Sequence, residues 1–183
     1  MKQAFLAFAC VSALSIPLVA ATLAGVTLPD TETVGNQTLV LNGMGLRTKL
    51  FIKVYVGGLY LEKKSGDAAA IVQSDTARRV VLQFIYGEVT RDQMLESFTE
   101  GFKANAPNAL KAQVDQFLGA LETMKKGEQL VVTYVPGTGT TLAIRGKDKL
   151  TIAGLPFAQA VFSVWLGPKP PTSDLKNGML GKK

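Results

Sequence analysis

The sequence predicts an α+β fold in a single domain. Three patterns support this prediction: an alternating apolar run after residue 48, two amphipathic helices in mid-chain, and several short strand patterns after them. In the first pattern, apolar residues occupy the even positions from Leu50 to Val56, which is the period of a strand with one buried face. The chain has 183 residues, of which 47% are hydrophobic and 19% charged, so one domain can bury a substantial core.

The first half of the domain is predicted to consist mainly of strands. Residues 25–30 form a short extended piece that a proline confines to a sheet edge or a strand end. Residues 37–42 predict a second strand, and the dipeptide Asn42-Gly43 predicts a hairpin turn from it into the alternating run. Residues 79–89 predict a further strand.

Helices are predicted around and after these strands. A short helix over residues 67–73 has Asp67 as its N-cap. Thr90 and Gln93 have the spacing of a capping box and predict the start of a longer helix, which presents Met94, Phe98 and Phe102 on one face. Residues 109–124 predict another amphipathic helix.

The last third returns to strands and then ends in helices. Strands over residues 128–135 and 140–145 flank a Pro-Gly-Thr-Gly hairpin, and residues 149–153 predict a third strand. A proline at the first position then predicts an apolar helix over residues 157–166. A last short helix is expected from about Ser173.

Residues 1–21 are predicted to be a secretory signal peptide. Lys2 provides a positive charge before the uncharged apolar run from Ala4 to Leu18, and Val19-Ala-Ala21 offers small residues for cleavage. The run is short for a transmembrane helix, which needs about 20 apolar residues. We therefore expect residues 22–183 to form the single domain of a secreted, periplasmic protein that has no transmembrane helix in its mature chain.

The residue types available for chemistry are few. Cys10, the only cysteine, lies in the predicted signal peptide, where a lipoprotein signal is an open alternative, and the chain has no histidine. The mature domain is therefore expected to have no disulfide, no thiolate or imidazole metal site, and no Ser/His or Cys/His nucleophile. We expect neither a metal nor a cofactor.

The net charge of +6 is spread over the chain. No basic run is long enough for a nucleic-acid arm, and aromatic residues do not interleave with the basic ones as stacking platforms would. The charge pattern therefore predicts no nucleic-acid partner and indicates a solvated surface that faces an anionic membrane or wall.

A family resemblance rests on three stretches of the sequence. The run from Gly43 to Glu62, the two mid-chain helices and the closing Ala160-Val-Phe-Ser-Val-Trp-Leu-Gly-Pro-Lys-Pro-Pro171 are together similar to the bacterial branch of the chalcone isomerase-like family. The resemblance covers about residues 25–181. It implies an open-faced β-sandwich in which helices cover a large antiparallel sheet.

The resemblance also implies two possible activities. Chalcone isomerases use an Arg, a Tyr, an Asn and a Thr or Ser to close a chalcone to a flavanone. Relatives without this activity keep the Arg and a Tyr thirteen residues later, and they bind fatty acids. This chain has Arg47 and Tyr60 at that spacing, whereas Met94, Gly101 and Ala158 stand where the isomerases have their Tyr, Asn and Thr or Ser.

Arg47 is the first candidate for contact with a ligand. A guanidinium beside an apolar floor is costly to desolvate without an anion, and its planar fork suits a carboxylate. The alternative is an arginine whose head lies in water or binds Glu62. The resemblance adds Tyr60, Met94 and Ala158 to the predicted binding site.

Strand geometry makes Tyr60 conditional. An odd spacing of thirteen residues places Arg47 and Tyr60 on opposite faces of an unbroken strand. A turn near Thr48 or Lys49, or a bulge at Gly57-Gly58, is needed to bring them together. Tyr55 shares the face of Arg47 and is the substitute.

We therefore expect a protein that binds a fatty acid or a similar small amphipathic carboxylate and does no chemistry on it. Two alternatives remain open at the level of sequence. The first is an intramolecular lyase acting on a chalcone-like conjugated ketone, with Arg47 catalytic and Tyr55, Tyr60 or Tyr86 as the proton donor. The second is a structural or partner-binding protein of the cell envelope.

Overall fold

The computed structural model of the protein describes residues 20–108 and 110–182. The predicted signal peptide lies outside the described residues, except for Ala20 and Ala21. The strands are β1 (Ala20–Leu23), β2 (Val26–Pro29), β3 (Thr31–Val34), β4 (Gln37–Lys49), β5 (Ile52–Leu61), β6 (Arg78–Phe84), β7 (Glu88–Val89), β8 (Met124–Lys125), β9 (Gln129–Val135), β10 (Gly139–Ile144) and β11 (Lys147–Ile152). The helices are α1 (Ala68–Gln73), α2 (Arg91–Asn105), α3 (Lys111–Gly119), α4 (Leu155–Leu166) and α5 (Ser173–Met179).

Seven of the strands form one large sheet. Their order is β11-β10-β9-β6-β5-β4-β3, and every neighbouring pair is antiparallel. Two small ribbons, β1-β2 and β7-β8, accompany it. The large antiparallel sheet with helices packed on it confirms the predicted α+β fold and the open-faced β-sandwich.

The two faces of the sheet are covered differently. On one face the helices bury a large core rich in aromatic side chains, in which Phe98 packs on Phe117 and on Trp165 with ring centroids 5.3 and 5.7 Å apart. On the other face the β1-β2 ribbon packs Val26 and Leu28 on the sheet. From Tyr55 onward along β5 the odd positions, such as Tyr55, belong to the helix-covered face, and the even positions, such as Tyr60, to the ribbon face. Before Tyr55 the β4-β5 register shifts, and Val54 also packs on the helix-covered face.

Helix α2 begins as the sequence predicts. The Thr90 hydroxyl accepts a hydrogen bond from the backbone N–H of Gln93, and the Gln93 side-chain oxygen accepts one from the backbone N–H of Thr90 at 2.9 Å. Met94, Phe98 and Phe102 are buried along one face. The capping box thus sets the register that turns Met94 toward the sheet.

The predicted turn at Asn42-Gly43 is wrong, because β4 continues from Gln37 to Lys49 without a break. The register shifts at Asn42, whose side-chain amide donates to the carbonyls of Met179 (2.9 Å) and Ser65 (3.0 Å). A Cβ at Gly43 would clash with backbone of the Gly178 region of α5. Asn42 and Gly43 therefore serve the close packing of α5 on β4, where an amide donor and a residue without a Cβ are needed.

The hairpin turns at Leu50-Phe51 instead. Both residues have positive φ, and Leu50 is 82% exposed and Ile52 45% exposed, so the predicted buried face is wrong at its beginning. The structure has no bulge at Gly57-Gly58, where β5 pairs regularly with both neighbours. These glycines leave room for Leu175 on one face and Leu28 on the other.

Two further boundaries differ from the prediction. The strand predicted over residues 79–89 ends at Phe84, and a separate short strand, β7, pairs with β8. The helix predicted over residues 109–124 is the shorter α3, and its expected last residue, Met124, lies in β8. The remaining predicted strands and helices are confirmed to within a few residues. None of the described helices is both long and apolar enough to span a bilayer.

Candidate functional site

A cleft opens on the helix-covered side of the sheet, between the end of the β4-β5 hairpin and the first turns of α2. It encloses about 190 Å³. Most of its lining is apolar, and the polar groups lie toward its mouth. The lining side chains are Arg47, Lys49, Leu50, Ile52, Val54, Tyr55, Phe84, Tyr86, Val89, Gln93, Met94 and Ser97.

Arg47 lies at the mouth of this cleft. It is directly opposite Tyr55 in the β4-β5 pairing, so the two side chains share a face. The Arg47 side chain is partly buried. Among residues 20–108 and 110–182, no carboxylate lies within 4.0 Å of its guanidinium and no hydrogen bond from it is found. The part of the chain that the structure describes therefore leaves the Arg47 charge available to an anion.

Lys49 adds a second positive charge on the same face, two residues along β4. Its ammonium is 3.9 Å from the Glu96 carboxylate of α2, and both side chains are exposed. A pair of this kind contributes little to stability, because water and salt screen it. Lys49 can therefore move toward a ligand at small energetic cost.

Tyr55 forms the floor of the cleft. It is 7% exposed, and its ring packs on Phe84 with centroids 5.5 Å apart. Burial raises the pKa of Tyr55 above its ordinary value of 10.0, while the Arg47 charge and the Trp165 indole act in the opposite direction. The phenol therefore stays protonated at neutral pH, where it can donate a hydrogen bond but cannot act as a base.

A smaller cavity continues inward from the cleft. It encloses about 20 Å³, and its deeper wall is formed by Leu82, Phe98, Val164, Trp165 and Pro171. Tyr55, Met94 and Ser97 line both spaces, so they form the boundary between them. Together the residues that line the two spaces extend from Arg47 to Trp165.

The structure brings three of the predicted site residues together and separates two. Arg47, Tyr55 and Met94 meet in the cleft. Tyr60 lies on the ribbon face of the sheet, where its hydroxyl donates to the Pro29 carbonyl at 2.8 Å. The hairpin turn does not bring it to Arg47, because Tyr60 is paired with Leu41 and not with the end of β4. Ala158 is fully buried within α4 and lines neither space.

Apart from Arg47, the positions where the resemblance places the isomerase side chains, namely Met94, Gly101 and Ala158, carry no polar group toward the cleft. Met94 has only a thioether, which is a weak acceptor. A Cβ at Gly101 would lie 2.7 Å from Cγ1 of Val164, so this position packs against α4. The ionisable groups that line the cleft are Arg47, Lys49, Tyr55 and Tyr86, and no carboxylate is among them. The described lining residues can therefore bind an anion, and none of them is a carboxylate or imidazole that could act as a general base at neutral pH.

Several cleft residues were not predicted from the sequence. Lys49 follows Arg47 at the two-residue spacing of a strand face, and Ser97 follows Met94 at a helical spacing of three. Both signals were present in the sequence. Phe84 and Val89 reach the cleft from elements whose neighbours only the tertiary structure shows. Within the described residues, no cluster of three or more Cys, Asp or Glu side chains could hold a metal ion.

Comparison with known proteins identifies the family. The chalcone isomerase-like family matches residues 20–181. Among solved structures, the chain is similar to a fatty-acid-binding protein from Arabidopsis thaliana, with a TM-score of 0.71 and 17% identity over 88% of this chain and 96% of that one. No curated protein matches the sequence. Since the family match extends over nearly all of the described residues, the chain belongs to the chalcone isomerase-like family.

Proposed function

We propose that the protein binds a fatty acid or a similar small amphipathic carboxylate and does no chemistry on it. The observation that carries this proposal is the Arg47 guanidinium, partly buried and without a carboxylate partner among the described residues, at the mouth of an apolar cleft. The similar fold of a plant protein that binds fatty acids supports the same ligand class.

The ligand would bind with its carboxylate at Arg47 and its alkyl chain directed inward. A charge-assisted hydrogen bond to the guanidinium contributes about 1.5–3 kcal/mol. Each methylene that leaves water contributes about 0.8 kcal/mol more. The chain would pass Tyr55 and Met94 toward Trp165, and the flexible Met94 side chain can move to widen this passage.

The same geometry argues against an isomerase. Closing a chalcone requires groups that hold the ketone and the reacting phenolate at once, in addition to a cation. Here Arg47 and Tyr55 are the candidates, while Met94 carries a thioether, Gly101 packs against α4 and Ala158 is buried within α4. We therefore propose binding without turnover.

Trp165 provides the assay. It is the only tryptophan of the chain and lines the inner cavity, so a brominated fatty acid bound in the cleft should quench its fluorescence. Arg47→Gln should weaken binding by about tenfold or more, because it removes a charged hydrogen-bond donor. Arg79→Gln is the matched control, because it removes the same charge from the ribbon face. Arg79 lies opposite Tyr60 and forms an ion pair with Glu32.

Three results would contradict the proposal. In the first, the brominated acid quenches Trp165 fluorescence equally in the wild type and in Arg47→Gln. In the second, the purified protein carries no extractable acid and takes none up. The third is turnover of a chalcone, followed by absorbance and abolished in Arg47→Gln, which would support the isomerase instead. A protein with neither ligand nor turnover would fit the structural role in the envelope.

We also propose that the protein is secreted to the periplasm. The proposal rests on residues 1–21 of the sequence, with their charged start, apolar run and small cleavage residues. Cell fractionation and the intact mass of the purified protein test it. A full-length mass, or recovery in the cytoplasmic fraction, would overturn it.

A further inference from the structure

The tip of the β4-β5 hairpin, defined as residues 49–53, exposes large apolar side chains. Phe51 is fully exposed and Leu50 nearly so, and Ile52 beside them is half exposed. Tyr86, a further exposed aromatic residue, lines the same cleft as Leu50 and Ile52. Of the large hydrophobic side chains that are exposed within the described residues, only Leu110 lies elsewhere. The exposed apolar surface is therefore concentrated at the mouth of the cleft.

The backbone of this tip makes the choice of residues unusual. Leu50 and Phe51 have φ of 48° and 68°, which is a two-residue turn with both φ values positive. Such turns favour Asn-Gly, because side chains with a Cβ, and bulky ones above all, strain this conformation.

Two other hairpins of the chain make the same kind of turn. They use Ala24-Gly25 and Arg145-Gly146, each with a glycine at the second position. The tip alone of these three has no glycine, and it has Leu and Phe instead. Neither burial nor backbone conformation favours these residues, so their presence indicates a role outside the folded domain itself.

Positive charges surround the apolar tip. Lys49 and Lys53, the first and last residues of the tip, are both exposed, and Arg47 lies two residues before Lys49. Among the described carboxylates, only Glu96 comes within 4.0 Å of any of these three cations, at 3.9 Å from Lys49. An apolar centre with a cationic border is complementary to a lipid bilayer that contains anionic headgroups.

We propose that the tip inserts Leu50 and Phe51 into the surface of an anionic bilayer, with Lys49 and Lys53 at the headgroups. The cleft mouth then opens at the membrane, where a fatty acid passes directly between the bilayer and Arg47. This role in ligand transfer rests on the proposed function, whereas docking rests only on the tip. A protein partner fits less well, since three side chains bury far less than the roughly 800 Å² per partner of a stable interface.

Vesicle co-sedimentation tests the docking step. The protein should bind phosphatidylcholine vesicles that contain phosphatidylglycerol more tightly than vesicles of phosphatidylcholine alone. Phe51→Ser should weaken this binding by about tenfold, because one large apolar side chain no longer leaves water. Lys53→Gln should weaken it by about fivefold, and only on the anionic vesicles. Leu110→Ser, at an exposed site away from the tip, is the matched control and should leave binding unchanged.

The outcomes separate docking from ligand binding. If the wild type does not sediment with anionic vesicles, or Phe51→Ser binds them as the wild type does, the inference is overturned. A dimer that Phe51→Ser disrupts, without vesicle binding, also overturns it. If vesicle binding depends on Phe51 while no acid quenches Trp165, docking stands and the proposed function fails. A blue shift in the emission of Phe51→Trp on adding vesicles independently supports insertion.

Discussion

Replacing Phe51 with glycine should stabilise the folded protein. In the left-handed region, a residue with a side chain is disfavoured by about 1–2 kcal/mol, and glycine does not carry this penalty. Phe51 has φ of 68° and its side chain is fully exposed, so the substitution removes almost no buried surface.

The greater conformational freedom of glycine in the unfolded chain offsets about 0.5–1 kcal/mol of this gain. The expected net stabilisation is therefore about 0.5–1 kcal/mol, which corresponds to a Tm about 1–4 °C higher for a domain of this size.

Urea denaturation and thermal unfolding measure this change. Gly146→Phe is the reciprocal control, because Gly146 has φ of 73° in an equivalent turn and a Cβ there meets nothing within 4 Å. It should destabilise the protein by about 0.5–1 kcal/mol, because the same backbone and unfolded-state contributions act with opposite sign. A lower Tm for Phe51→Gly would refute the reasoning, since it would mean that Phe51 contributes to the folded state through contacts or turn geometry. If Phe51→Gly raises the Tm and abolishes vesicle binding, Phe51 lowers the stability of the fold but is required for binding.

Three further predictions concern the core. Arg78→Lys should lower the free energy of unfolding by about 2–4 kcal/mol in urea denaturation, because the buried guanidinium binds several backbone carbonyls that a lysine cannot reach together. Gly45→Ala should cost about 1–3 kcal/mol or more, since its Cβ would clash with backbone of Leu175; an unchanged Tm would contradict this packing. The free energy of unfolding should fall as the pH rises above 10.0, because burial raises the pKa of Tyr55 and Tyr60 and the unfolded chain therefore loses these protons first. A free energy of unfolding that does not change with pH above 10.0 would contradict this prediction.

Much of the secondary structure was predictable because its signals are local. The capping box at Thr90 and the Asp67 N-cap involve residues within one helical turn of each other, and both form as expected. The apolar stripe of α2 follows from helical periodicity in the same way. Local signals of this kind do not depend on which elements later pack together.

The turn of the central hairpin was not predictable, because its residues contradict turn chemistry. Asn42-Gly43 has the sequence of a turn but lies within β4, whereas Leu50-Phe51 has the sequence of a strand but forms the turn. Gly43 is required by the close approach of α5, more than a hundred residues later in the chain. A contact between such distant segments leaves no signal in the local pattern.

The candidate site was predictable in part. Alternation along an unbroken strand predicted Arg47 and Tyr55 on one face. In the structure a register shift between Arg47 and Thr48 sets Arg47 opposite Tyr55, whereas a regular hairpin would set it opposite Val54. The family resemblance supplied Met94, and it also supplied Tyr60, which strand alternation assigns to the other face. The inner cavity is formed by α2, α4 and the sheet together, so the position of Trp165 beside the site emerged only with the packing.

The sequence by itself determined the class of the fold, the order of most elements, the lack of cysteine and histidine in residues 22–183, and Arg47 as the candidate cation. Only the tertiary structure decided where the central hairpin turns and therefore which side chains stand at the cleft mouth. The physical reason is that periodicity and capping act within a few residues, whereas the position of the turn depends on how β4 packs against α5 and pairs with β5. The same packing leaves Leu50 and Phe51 exposed beside Arg47.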